Sequence, residues 1–255
     1  MSSIISHFNE SFADNLSVVK MIIYTIPVFI CASFFVKGEM NSFYFWLIPL
    51  LLFFLGVLTK GINNIRTNNN ELLTFNIWEI IYSMALSIVC VVPQIIIFGA
   101  IGLLIVNFIK LPVELPHFQL IFEIIIWSIL GSIVLTSYLA FAKHMYILQA
   151  FNYKLIIDSC MDVLVSLMFF VPQLMLANAI MVAPALAICS QFGIPYTHWA
   201  FIAYYSFLVV VNISLLANYF AETAFENIKE DGKSSYVNNY DKSVDVIDDI
   251  VSRLD

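Results

Sequence analysis

Six long runs of apolar residues dominate the chain, at Val18–Val36, Phe43–Leu58, Trp78–Ile109, Phe118–Ala142, Leu155–Phe192 and Trp199–Phe220. They are continuous rather than alternating, which predicts helices and not the two-residue period of a transmembrane barrel. A helix rises about 1.5 Å per residue and a bilayer core is about 30 Å thick, so about 20 apolar residues cross it. Each run reaches or approaches that length, Phe43–Leu58 being the shortest. The expected fold is an all-α polytopic membrane protein with about six transmembrane helices.

Polar positions inside these runs repeat. Glu79, Ser83, Ser87, Pro93 and Gln94 recur as Asp158, Asp162, Ser166, Pro172 and Gln173, each copy led by Phe-Asn (Phe75-Asn76, Phe151-Asn152). The pattern divides the membrane domain, residues 1–225, into repeats at about 75–145 and 151–225. A third, decayed copy is expected at about 8–58, where Phe8-Asn9 leads and Ser17 stands ten residues before Pro27. That copy has Ala13 in place of the acid and Val28 in place of the glutamine. Each copy holds an even number of spans, so the copies should be parallel repeats about an axis along the membrane normal.

At about 100° per residue, Glu79, Ser83, Ser87 and Gln94 share one helix face, and so do Asp158, Asp162, Ser166 and Gln173. Pro93 and Pro172 each remove a backbone donor and leave the carbonyls of Val89 and Met168 short of a partner, with Gln94 and Gln173 near enough in sequence to serve them. A straight Trp78–Ile109 helix would measure about 48 Å. An amphipathic leading helix along the interface, followed by a bend near proline and a shorter span, is therefore expected, with a further kink at Pro184. Three readings of the stripes stand side by side. They are a face turned to headgroups, hydrogen bonding between helices, or the lining of a polar cavity between repeats. Glu123, inside the fourth run near its outer end, is added to the candidate cavity residues because intramembrane carboxylates are costly and often functional. It could also pair with Lys110 or His117.

Composition agrees with the class. Apolar residues make up 61% of the 255-residue chain, charged residues 11%, and the mean hydropathy is +0.91. A soluble domain carries about 25% charged residues. Lys20, Lys60, Arg66, Lys143 and Lys154 flank the spans on one side, together with Lys229, Lys233, Lys242 and Arg253 of the tail, against Lys37 and Lys110 on the other. The positive-inside rule then places both termini in the cytoplasm. Glu10 and Asp14 argue against a cleaved signal, leaving the first span as an uncleaved anchor. Aromatic clusters at Phe43–Trp46, Tyr196–Trp199 and Tyr204–Tyr205 predict an outer interfacial belt.

Chemistry is sparse. Cys31, Cys90, Cys160 and Cys189 read as small buried hydrophobes, and His7, His117, His144 and His198 are scattered. There is no Gly-rich phosphate loop, nucleophile elbow or His-Glu-x-x-His. No metal, cofactor or nucleic acid is expected, and the protein is read as no enzyme. Asn178, Asn212 and Asn218 are expected to join helices. Residues 226–255 form an acidic tail, which accounts for much of the net charge of −7. Within it Val244, Ile247, Val251 and Leu254 mark a short amphipathic helix, suited to docking a protein partner or the chain's own basic loops.

The Phe-Asn leading helix, Pro-bent span and return span, repeated and closed by Asn-Tyr-Phe-Ala-Glu-Thr-Ala at 218–224, resemble a broad group of prokaryotic polytopic proteins. That group includes the YciC-like inner-membrane proteins and the membrane domain found beside some glycerophosphodiester phosphodiesterases. The resemblance covers most of residues 8–225 and implies a helical inner-membrane protein. No hydrolase domain accompanies it here, so no activity is carried over. Function is then expected to be transport-related or the accommodation of a small molecule or lipid in a polar cavity between repeats. The alternative is a membrane scaffold or toxin-immunity protein working through helix contacts, with a lipid enzyme using Glu123 or Asp158 and Asp162 ranked last.

Overall fold

The computed structural model describes residues 4–12, 16–66, 73–109 and 116–228, with only the backbone at positions 6, 66, 116 and 117. Lys110, the side chains of Arg66 and His117, and the acidic tail from Lys229 with its amphipathic helix lie outside the described residues. The helices are α1 (Ile4–Ser11), α2 (Ser17–Val36), α3 (Met40–Arg66), α4 (Ile77–Phe108), α5 (Pro116–His144), α6 (Tyr153–Phe192) and α7 (Trp199–Glu226), with a 3-10 helix at Ile147–Phe151. Among the described residues there is no strand. Six helices, α2 to α7, are long and apolar enough to cross a membrane, so the protein is an all-α polytopic membrane protein.

Local chemistry sets the ends. Asn76 and Asn152, the asparagines of the two Phe-Asn pairs, stand at the N-caps of α4 and α6. The Asn152 carboxamide oxygen accepts from the Leu155 amide at 3.3 Å, satisfying one of the free donors of a first turn. Asn76 instead donates to Glu79 at 2.8 Å. Phe8-Asn9 lies inside α1 rather than at a cap. Gly193 closes α6 with a left-handed φ of 62°, a conformation available to glycine without steric cost. Helix α4 continues through Pro93, and α6 through Pro172 and Pro184.

Helix α7 occupies the centre and packs on α1, α2, α3 and α5. Small residues let its neighbours approach, with Ser206, Ser214, Ala217, Ala221 and Ala224 all buried. Helix α4 lies against α3 and α5, while α6 leans on α5 more than on α7. The outer faces are apolar, exemplified by Ile96, Leu103, Met168, Met175 and Ile180, all exposed. A soluble monomer rarely exposes apolar patches of such extent; here acyl chains cover them. Lys20, at the start of α2, is buried, with its ammonium 5.5 Å from the centre of the Phe75 ring.

Candidate functional site

The two polar stripes fall in different surroundings. On α4, Ser83, Ser87 and Gln94 are buried. Ser87 donates to the Ser83 carbonyl at 2.6 Å and lies 2.7 Å from the Thr59 hydroxyl of α3, which lies 2.9 Å from the Tyr138 hydroxyl of α5. Gln94 donates from Nε2 to the Ala150 carbonyl of the 3-10 helix at 2.9 Å, and Ser137 donates to the same oxygen at 2.6 Å. The chain can turn back to present that carbonyl because α5 ends at His144 and the next residue, Met145, adopts a left-handed φ of 58°. The oxygen of the same amide, Gln94 Oε1, has no hydrogen-bond partner among the described residues. Glu79, in the first turn of α4, pairs with Lys60 at 2.8 Å on the half-exposed surface.

On α6, Asp158, Asp162 and Gln173 are exposed and only Ser166 is buried, accepting from the Tyr219 hydroxyl of α7 at 2.7 Å. Helices α4 and α6 share at most a marginal contact, and α5 packs on both. Glu123 is half-buried on α5 and accepts from Gln119 at 2.8 Å. The nine candidate residues are therefore not gathered around one space. Ser83, Ser87 and Gln94 belong to the α3–α4–α5 junction, Ser166 and Gln173 to the α6–α7 side, and Glu79, Glu123, Asp158 and Asp162 stand apart.

Two cavities accompany these settings. A small one of about 50 Å³ is lined by His7, Ser166, Phe170, Gln173, Tyr219 and Glu222, among others. Buried His7 anchors α1 there, with Nε2 3.0 Å from Glu222, while Asn218 donates to the His7 carbonyl at 3.2 Å and to Ser11 at 3.1 Å. Sequence reasoning passed over His7 because one scattered histidine carries no pattern.

The larger cavity, about 410 Å³, lies between α3, α4, α5 and α7 and is open where its lining residues Ile95, Trp127 and Gly131 are exposed. Its walls include Leu55 and Leu58 of α3, Val91 and Ile95 of α4 and Phe220 of α7. Along α5 it follows positions 127, 130, 131, 134, 135 and 138, one face of the helix. That stripe measures about 16 Å, half the thickness of a bilayer core. Two wall positions are glycines, Gly99 and Gly131, and a Cβ at either would meet nothing within 4 Å. The contrast is Gly102, one turn on, where a Cβ would fall 2.8 Å from Trp127 and Leu130 and where α4 and α5 touch. Missing side chains at 99 and 131 thus leave space, whereas the one at 102 permits contact. Neither glycine carried a signal in the sequence, since isolated helix glycines usually mark packing.

Among the described residues no group of three His, Cys, Asp or Glu side chains could hold a metal ion. Comparison of the chain with models of known protein families, with curated sequences and with solved structures finds no match.

Proposed function

We propose that this membrane protein is non-enzymatic and holds one acyl chain of a membrane lipid, or a similarly shaped apolar molecule, in the cavity between α3, α4, α5 and α7. The observation that carries the reading is an open apolar slot, about 410 Å³ in volume, running along one face of the membrane-crossing helix α5. Its length along α5 suits a linear chain, and the exposed apolar residues at its rim, Ile95 and Trp127, stand on membrane-crossing helices beside the hydrocarbon from which such a chain would come. No Ser, Cys, His, Asp, Glu or Lys is among its lining residues, so the walls offer neither nucleophile nor base. The polar residues of α4 support this division of labour by locking α3, α4 and α5 together behind the slot.

The reading extends to origin and placement. The pair Ser166–Tyr219 repeats, with direct contact, the Ser87–Thr59–Tyr138 cluster, which supports a duplicated α4–α5 and α6–α7 unit. The first unit keeps a slot between its helices, whereas in the second α7 has moved to the centre of the bundle. Cytoplasmic termini are supported by the lysine distribution, and the inner membrane by the resemblance to inner-membrane proteins.

The test is a Gly99→Leu/Gly131→Leu double variant in lipid nanodiscs, with lipid retention read by native mass spectrometry. A Cβ at either position meets nothing within 4 Å, so the substitutions begin in open space rather than at a helix contact. Tightly retained lipid should fall to less than half. Retention equal to the parent protein's would count against the reading.

A further inference from the structure

The slot has a counterpart elsewhere in the chain, and that counterpart is filled from within. Val-Pro-Gln at 92–94 and again at 171–173 sets α6 79 residues behind α4. The His-aromatic pairs at 117–118 and 198–199 set α7 81 residues behind α5. These two shifts carry the residues of the slot onto the seam between α6 and α7. Gly99 and Gly131, both on the slot wall, correspond to Asn178 and Asn212. Those asparagines join α6 to α7 by two amide hydrogen bonds, of 2.9 and 2.7 Å. Val91 and Tyr138, again both on the wall, correspond to Phe170 and Tyr219, whose rings stack with centres 3.7 Å apart. Ser87, tied to Tyr138 through Thr59, corresponds to Ser166, bonded directly to Tyr219. Residues that share the slot in one helix pair are therefore in contact in the other, at two levels about 10 Å apart along the helix.

What differs between the two is the filling. With glycines at one level and valine at the other, α4 and α5 enclose about 410 Å³ together with α3 and α7. With two asparagines and a phenylalanine in the same places, about 50 Å³ is left beside Ser166, Phe170 and Tyr219. A phenyl ring takes up the volume that a valine leaves open, and the paired carboxamides satisfy one another across the seam. We infer that the seam between α6 and α7 is a second site for an aliphatic chain, built on the same plan as the slot and plugged by the side chains of Phe170, Asn178 and Asn212. This rests on the chain-holding reading above and adds the residues that decide whether such a site stands open. Val91, Gly99 and Gly131 keep the first site free, while the plugs turn the second into packing that holds α6 on the bundle.

The experiment exchanges the two sets of residues in the full chain, in nanodiscs containing a phospholipid with a diazirine in its acyl chain, and locates adducts by peptide mapping. In a Phe170→Val/Asn178→Gly/Asn212→Gly variant, adducts should appear on α7 between positions 208 and 219, where Leu208, Val211, Leu215 and Tyr219 are buried in the parent protein. Labelling at 91–99 should persist. Asn178→Leu/Asn212→Leu breaks the bridge but keeps the bulk, and should leave that part of α7 shielded. In a Gly99→Asn/Gly131→Asn variant, labelling along 91–99 and 127–138 should fall to less than half. Its melting temperature should exceed that of either single variant, because only the pair completes a bridge. An α7 that stays unlabelled in the folded triple variant while 91–99 still labels would overturn the plugged site and leave chain binding intact. Equal labelling of α7 in the leucine and glycine variants would overturn it too, as loosening of the seam. So would slot labelling in the double asparagine variant equal to the parent's, which decides the matter should the triple variant not fold. Absence of labelling along the slot of the parent protein would overturn both readings.

Discussion

Asn178 of α6 and Asn212 of α7 exchange a reciprocal pair of amide hydrogen bonds, 2.9 Å in one direction and 2.7 Å in the other. Each amide also donates to the carbonyl four residues before it in its own helix. Because α6 leans mainly on α5, this bridge is a principal tie between α6 and α7. A double-mutant cycle with Asn178→Leu and Asn212→Leu, read by thermal unfolding in detergent, should give a coupling of about 0.6 to 1.7 kcal/mol, the range for polar pairs between membrane helices. Strict additivity would mean the two amides do not depend on one another.

Glycines divide into two kinds. A Cβ on Gly56 would lie 2.6 Å from the Ile80 carbonyl oxygen and 2.9 Å from Met84 Cβ, so α3 and α4 would have to separate. Gly56→Ala should destabilise the protein by about 1 to 3 kcal/mol, as overpacking does. Gly99→Ala and Gly131→Ala, with nothing within 4 Å, should match or exceed the parent's stability, because glycine weakens a helix by about 1 kcal/mol relative to alanine. Melting temperatures of the three variants in one detergent decide it.

Much of the fold was legible in advance because membrane spans depend on length and apolarity, which the chain displays without reference to its neighbours. The six runs correspond to α2 through α7 for that reason. The site was less legible because identical motifs can meet different neighbours. Gln94 and Gln173 occupy the same place in the repeated pattern, yet Gln94 is buried against Ala150 and Gln173 is exposed. What separates them is the position of each helix in the bundle and a turn 56 residues further on, and neither is encoded by local spacing. The slot is less legible still, being the space left by four helices at Gly99 and Gly131.

Burial of Gln94 makes a sharp substitution test. Gln94→Glu would turn a carboxylate toward the Ala150 carbonyl in a fully buried setting, and should cost about 3 kcal/mol or more. Gln94→Met keeps the volume and removes both the bond and the unpartnered oxygen, so it should cost less than about 1.5 kcal/mol. The ordering of the two in chemical denaturation is the check; equal losses would show that the amide is not enclosed as described.

His7 and Glu222 hold the N-terminal helix to the end of α7 at 3.0 Å. Replacing the buried imidazole by alanine should release α1 without unfolding the bundle, because α1 adds little to the contacts among the six spans. Amide hydrogen exchange over residues 4–11 should accelerate at least about tenfold, corresponding to roughly 1.5 kcal/mol, while exchange in α7 above Asn218 stays unchanged. Unchanged exchange in α1 would mean that its other bonds, from Asn218 to His7 and Ser11, suffice.

Occupancy of the slot by a lipid chain is tested most directly by photolabelling the protein in nanodiscs with a phospholipid carrying a diazirine in its acyl chain, followed by peptide mapping. Adducts should concentrate on residues 91–99 and 127–138 and fall sharply in the Gly99→Leu/Gly131→Leu variant. Adducts spread evenly over the exposed face of α6 at Met168, Met175 and Ile180, with none enriched along the slot, would contradict it.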